Sequence, residues 1–268
     1  MFLEQKYPFF AIRHWRLILP IVLASAIFAA PQGFSAQQRE DPVPIVGDFA
    51  VERGIEIFER DRAAWLATDA ALSGGLQKTN AIGWITVGRG SVWLVRFVAP
   101  CDLGACSVMD VEVRGMNAVA RLLDKPAPLP ALERSAWNAR QLALSTKVRL
   151  CTPRYNTVVI PADDGGLHWV VYLLAASTDS DDIVLAGHHR ITISGDGKKV
   201  LKNEALSKSC LVKKKSQGKS AVVVTHLLDP RPIETHVFAS LYYGLPIYVA
   251  TRNGVFAVEG PTIQEIRK

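Results

Sequence analysis

His226, Glu234 and His236 carry the sharpest chemical pattern in the chain. An apolar run ends at Thr225-His226-Leu227-Leu228, Asp229-Pro230-Arg231-Pro232 breaks it, and Glu234-Thr235-His236 follows. With residues 229–233 as a five-residue hairpin loop, His226 and His236 face each other across two strands, Cβ atoms about 5 Å apart. Glu234, two residues from His236, shares their face. Two imidazoles and a carboxylate suit a catalytic zinc, with His188 or His189 completing the shell. Such a metal would acidify bound water and make a hydrolase. Against this stands the ordinary fate of histidines on apolar strands, which is to hydrogen-bond to backbone at the core edge. Segment 234–243 also reads about evenly as strand or helix. Its Val, Phe, Thr and Tyr favour a strand. Val237, Phe238, Leu241 and Tyr242 suit a helical face instead, with Gly244 and Pro246 as stop signals. On a helix Glu234 and His236 point apart.

The four cysteines offer two kinds of chemistry. Cys210 with Asp229 and either His226 or His236 makes a formal thiol-protease triad. An even count in an exported chain argues instead for disulfides, with no paired CxxC to suggest zinc. Of three connectivities, the short Cys101–Cys106 loop is favoured, leaving Cys151 with Cys210. Thr178-Asp179-Ser180-Asp181-Asp182 is acid-rich but lacks the Gly and terminal Glu of an EF-hand loop. There is no GxSxG, P-loop or HExxH motif.

The elements that must position these residues read as α+β, rich in antiparallel sheet. A helix over about 48–72 starts at Asp48. Its apolar residues Val51, Ile55, Phe58, Trp65 and Leu72 mark the face expected on a sheet, opposite Glu52, Glu56, Glu59 and Arg60. Residues 82–87 and 91–99 form a hairpin and 108–113 a third strand with one wet face. Asn117–Leu123 reads as a short helix, and Lys125–Pro130 as a rigid link and sub-lobe boundary. A second long helix spans about 131–146. Further strands are expected at 157–160, 168–174, 190–194, 221–228, 246–251 and 255–259, with hairpin signals at Asp196–Gly197 and Asn253–Gly254.

The first 36 residues read as a signal peptide, cleaved near Ala36. Lys6, Arg13 and Arg16 precede an uncharged run over 17–30, which is too short to span a bilayer. Residues 37–47 are an extended lead-in, and 48–268 a single domain. The formal charge of +6 over 268 residues suggests nucleic acid at first sight. Removing the leader leaves 28 Lys+Arg against 24 Asp+Glu. Eight Lys against one Glu lie between 198 and 219, so the remaining body is slightly acidic. Export and the lack of any nucleic-acid motif argue against a nucleic-acid partner. Lys213, Lys214, Lys215 and Lys219 are the candidate contacts to an anionic surface; the alternative is a solvated hairpin whose lysines block edge pairing.

From Arg154 onward several stretches carry a resemblance. They are Arg154-Tyr155-Asn156-Thr157-Val158-Val159-Ile160-Pro161, Val171-Tyr172-Leu173-Leu174-Ala175-Ala176-Ser177-Thr178-Asp179 and Gly187-His188-His189-Arg190. Others are Leu206-Ser207-Lys208-Ser209-Cys210-Leu211, Thr225-His226-Leu227-Leu228-Asp229-Pro230, Glu234-Thr235-His236-Val237-Phe238 and Leu245-Pro246-Ile247-Tyr248-Val249. Together with the helix around Asp61–Ala71, they resemble a family of exported bacterial proteins with no assigned activity. The resemblance implies a shared fold and transfers no catalytic residue. The expectation is a periplasmic or secreted, non-enzymatic binding or interaction module. Its partner would be an envelope protein or an anionic surface, and no transmembrane helix would be retained. The alternative is the metal-dependent hydrolase built on His226, Glu234 and His236.

Overall fold

Asp48 starts the first helix as expected: its side chain accepts a hydrogen bond from the Ala50 N–H. The computed structural model describes residues 48–162, 167–215 and 221–266. The leader, the lead-in and Lys219 lie outside the described residues.

Three times along the chain a helix is followed by an antiparallel meander, giving an α+β fold. Helix α1 (Phe49–Ser73) precedes β1 (Gly83–Arg89), β2 (Val92–Cys101), β3 (Gly104–Arg114) and β4 (Asn117–Pro128), paired in that order as the first sheet. Helix α2 (Ala131–Ser145) precedes β5 (Arg154–Pro161) and β6 (His168–Ala176). After the short β7 (Asp182–Val184) come β8 (His189–Ser194) and β9 (Val200–Ala205), completing the second sheet in the order β5-β6-β8-β9. Strand β10 (Val212–Lys214) pairs with β7 as a separate ribbon. Strand β11 (Val222–Thr225) then leads to α3 (Glu234–Tyr243), β12 (Ile247–Thr251), β13 (Gly254–Glu259) and β14 (Thr262–Ile266). In this third sheet β11 runs parallel to β12, the parallel pair in a set of hairpins.

Each helix buries a face on the meander that follows it. Ala63, Ala67 and Ala71 of α1 lie on Val95, Phe97 and Met109 of the first sheet. Ala136, Ala139 and Ala143 of α2 lie on Val171, Ile191 and Ile193 of the second. Val237 of α3 lies with Val249 and Val258 of the third. The small residues let backbones approach closely. The large side chains beneath, at about 1.5–3 kcal/mol each when fully buried, supply the driving force. Trp137 carries α2 onto the back of the first sheet, beside Ile85 and Val98. Ile57 and Phe238 carry α1 and α3 onto the back of the second, beside Ile160, Tyr172 and Leu174.

The structure corrects three expectations. Asn117–Leu123 is strand, not helix, and Lys125–Pro128 continues it instead of forming a link. Gly115, at φ 58°, opens a two-residue loop that turns β3 into β4. The alternation of half-buried Ala118 and Ala120 with exposed Asn117, Val119 and Arg121 then has the period of a strand. The buried face of α1 is the small-residue one, and Arg60 belongs to it. Arg60 chelates Glu56, donates to the Thr86 carbonyl at 2.9 Å and lies over the Trp93 ring. Asp110, expected on a wet face, is buried between Arg96 at 2.7 Å and Ser107 at 2.6 Å. Arg96 in turn pairs with Glu133 of α2.

Both favoured disulfides form, Cys101–Cys106 and Cys151–Cys210. The first pins the β2–β3 turn. The second, closing a separation of 59 residues, ties the approach to β5 to the loop after β9. Loop-closure entropy puts its contribution at about 4 kcal/mol, against about 2 kcal/mol for the short loop. Among the described residues no helix is long and apolar enough to cross a membrane.

Gly54 marks the closest approach of α1 and α3. A Cβ there would sit 2.5 Å from Cβ of Val237 and 2.7 Å from the Glu234 carbonyl oxygen. Gly54→Ala, normally stabilising in a helix by about 1 kcal/mol, is therefore expected to destabilise by about 1–3 kcal/mol. Urea unfolding checks this; a stabilised variant would show that the helices are not in backbone contact.

Candidate functional site

Glu234 is the first residue of α3 and lies almost wholly buried against the second sheet. Its Oε1 accepts from the Tyr172 hydroxyl at 3.0 Å and from Arg190 at 2.7 Å. Tyr172, Arg190 and Glu204 are register partners across β6, β8 and β9. Arg190 therefore bridges Glu234 and Glu204, which it meets at 3.2 and 3.1 Å. Burial and the neighbouring Glu234 carboxylate push the Tyr172 hydroxyl far above its usual range, so it stays a donor.

His236 follows two residues later, about 200° around the helix. It points away from Glu234, as a helical reading of 234–243 requires. Its Nδ1 accepts from the Ile233 N–H at 3.0 Å, closing the first turn of α3. Its ring meets that of His226 edge to face, centroids 4.9 Å apart. The two histidines are neighbours as expected, but a strand end and a helix start bring them together, not a hairpin. His226 continues the parallel pairing of β11, its N–H donating to Ala250 O at 2.8 Å. Its Nε2 lies 3.0 Å from Oδ2 of Asp229.

His188 joins this pair from the loop before β8, while His189 does not. Successive residues entering a strand face opposite ways. His189 turns to Tyr155 and bonds the Arg149 carbonyl through Nε2 at 3.0 Å. His188 Nδ1 accepts from the Ala175 N–H at 3.0 Å, and its Nε2 is buried with no partner among the described residues. The five-residue metal set thus does not assemble. Glu234 is held in an ion pair and His189 faces elsewhere. No group of three or more His, Cys, Asp or Glu among the described residues is arranged to hold a metal. Cys210, in a disulfide, is no nucleophile.

His188, His226 and His236 instead line a cavity of about 220 Å³. Its apolar wall includes Leu185, Leu206, Leu211 and Val224, and Thr225, Thr235 and Ser209 add hydroxyls. Lys208, exposed, stands at the mouth. The Cys151–Cys210 bridge braces the wall. Gly187, at φ 94°, packs where a Cβ would strike Cys151, and its N–H donates to Ser207 Oγ at 2.8 Å. Leu206 N–H donates to the His188 carbonyl at 3.0 Å. Ser207, Thr225 and Thr235 lie in stretches that carry the family resemblance, but no spacing pattern in the sequence gives them a chemical role.

Hydrogen bonds set the tautomers. A backbone N–H can only donate, so Nδ1 of both His188 and His236 is bare and the proton sits on Nε2. The Asp229 carboxylate accepts at Nε2 of His226, so that nitrogen carries a proton. Burial, and for His236 the nearby His226 and His188, lower these bases to about 4 at His188 and about 3 at His236. Both rings are neutral at physiological pH.

Of the candidate surface lysines, Lys213, Lys214 and Lys215 lie among the described residues. Lys214 pairs with Asp179 at 2.6 Å and Asp182 at 2.7 Å, joining the basic stretch to the acid-rich turn across the β7–β10 ribbon. The same pairs engage two of the three carboxylates of the acid-rich turn 178–182. Lys215 donates to the Ser180 carbonyl at 2.9 Å, and Lys213 is exposed.

The buried histidines give a signed pH dependence. Their stabilisation is complete above about 6.5, where the unfolded rings are also neutral, and is lost as pH falls towards 4 and 3. Asp61, pushed up to about 6 by burial, opposes this, because the folded chain keeps its proton between about 4 and 6. With two rings against one carboxylate, stability falls on acidification. His188→Asn keeps an acceptor for Ala175 N–H but removes one titrating ring. It is expected to flatten the slope between pH 6 and 4.5 by about 1.4 kcal/mol per pH unit, read from urea midpoints. An unchanged slope would contradict a buried neutral His188.

No family model and no curated protein matches the chain. Among solved structures, the Bacillus megaterium YpeB C-terminal domain is similar over 55% of this chain and 64% of that one, at 14% identity and a TM-score of 0.19. The chain thus spans just under two thirds of that domain's length, and a likeness this slight carries no argument about fold or function.

Proposed function

We propose that this chain is an exported, non-enzymatic binding module whose site is the three-histidine cavity beside α3. The carrying observation is the cavity of about 220 Å³ in which His188, His226 and His236 meet an aliphatic wall of Leu185, Leu206, Leu211 and Val224. Apolar walls with a few convergent polar groups are the usual make-up of a small-molecule site. Export rests on the leader-like residues 1–36, and the two disulfides fit an oxidising compartment.

The metal-hydrolase alternative draws less support. Nε2 of His188 and His236 carry protons, so metal binding there would require both to be stripped or both backbone bonds to be lost. Glu234 would have to leave Arg190 and Tyr172.

Native mass spectrometry of untagged protein from the envelope fraction, run beside metal analysis, tests the reading. The expected outcome is a mature chain starting near Gln37, less than stoichiometric metal, and a small molecule or partner retained. Stoichiometric zinc, or a full-length chain with nothing bound, would contradict it.

A further inference from the structure

Each sheet has a back, the face turned away from the helix that packs on it as its own. The backs of the first two sheets are covered from within the chain. Trp137 of α2 lies on the first, and Ile57 of α1 and Phe238 of α3 lie on the second. In both cases the helix that follows the sheet in sequence supplies a large apolar side chain. The third sheet differs. Helices α1 and α3 meet it on its inner face, through Ala50 and Val237. Its back is open: Val223 is 59% exposed, Val255 38% and Ile266 43%.

Register builds this open face. On the two central strands Tyr248 stands beside Ala257, and Ala250 beside Val255. Val223 flanks them on β11 and Ile266 on β14. Neither cross-strand row contains a charged residue, and Glu259 bounds the face at the end of β13. Single apolar residues on a surface are ordinary, but contiguous ones with a polar border mark contact sites.

We propose that the back of the third sheet docks an amphipathic α-helix of a partner protein, seated as α2 and α3 are on the first two backs. The helix would set a large apolar side chain over the small Ala250 and Ala257. Its facing stripe would carry no charge, because the two rows offer none to pair with and a lone desolvated charge is costly. A second copy of this chain fits less well. Four strands about 4.8 Å apart and five residues of about 3.4 Å give a face of about 300 Å². A stable complex of folded domains buries about 800 Å² on each partner. The described helices of a second copy, moreover, already pack on two sheets each. A single helix, about 10–12 Å across with its side chains, suits the width of the face. Docking here requires nothing of the histidine cavity.

The probe is the photoreactive residue benzoylphenylalanine, placed at Val223 or at Ile266 of the full chain in the cells that produce it. Leu201, 44% exposed on the edge strand β9, is the control position. Mass spectrometry of the adducts identifies the captured segment. From Val223 and Ile266, but not from Leu201, the expected adduct is one segment of another protein whose apolar residues recur every three or four positions without a charge among them. A synthetic peptide of that segment is expected to gain helical circular dichroism on binding the purified protein. Val255→Glu is expected to weaken that binding at least about tenfold with an unchanged urea midpoint. Should Val255→Glu disturb folding, Val223→Glu at the more exposed edge position is expected to give the same loss. Adducts with this chain itself or with lipid would overturn the assignment. So would a peptide that binds without becoming helical, binding untouched by either charge, or no adduct from either position.

Discussion

The ion pair between Glu234 and Arg190 sets the rotation of α3, and the orientation of the histidine cavity follows from it. Arg190 does not stand alone. It lies in a row with Tyr172 and Glu204 across three strands of the second sheet, and the first residue of α3 seats its carboxylate on that row. Removing one partner from a buried pair costs about 3–5 kcal/mol, because the other is left as an uncompensated charge. With Glu234 turned into the second sheet, helix geometry aims His236 the other way, towards His226 at the end of β11. One buried contact thus divides two residues that the sequence places side by side, giving one to stability and the other to the cavity.

The cavity inherits its rigidity from covalent and backbone constraints. Disulfide Cys151–Cys210 holds the Ser207–Ser209 loop against Gly187, one residue before His188. Backbone donors from Ala175 and Ile233 fix two of the three imidazoles in orientation and protonation. Such second-layer support is what keeps a polar cluster from collapsing onto itself. Its consequence is chemical as well as mechanical: two rings that could ligate a metal in the other tautomer are set as hydrogen-bond donors.

Much of the architecture is legible in the sequence. The spans of α1 and α2, most of the longer strands and both cysteine pairings follow from caps, alternation and spacing. What failed did so for identifiable reasons. Alanines form the buried stripes of α1 and α2, so the larger apolar residues pointed to the wrong face of α1; Leu132 and Leu144 of α2 are likewise exposed. The Gly115–Met116 loop converts a helix-like stretch into β4. The proximity of His226 and His236 was expected from a hairpin that does not form; a strand end and a helix start bring them together instead. The loss of Glu234 from their company was not legible. It depends on Arg190, more than forty residues away, and no local pattern announces that partnership. The ribbon is similar, with Lys214 and Asp179 separated by 35 residues and joined only by the pairing of β7 with β10.

Two neutral imidazoles, each held by a backbone N–H at Nδ1 beside one cavity, form the centre of this account. Long-range proton–nitrogen correlation spectra of the histidine side chains at neutral pH report the protonation of each ring nitrogen directly. The expected pattern for both His188 and His236 is a protonated Nε2 and a bare Nδ1. Protonation of Nδ1 in either ring, or of both nitrogens, would contradict it.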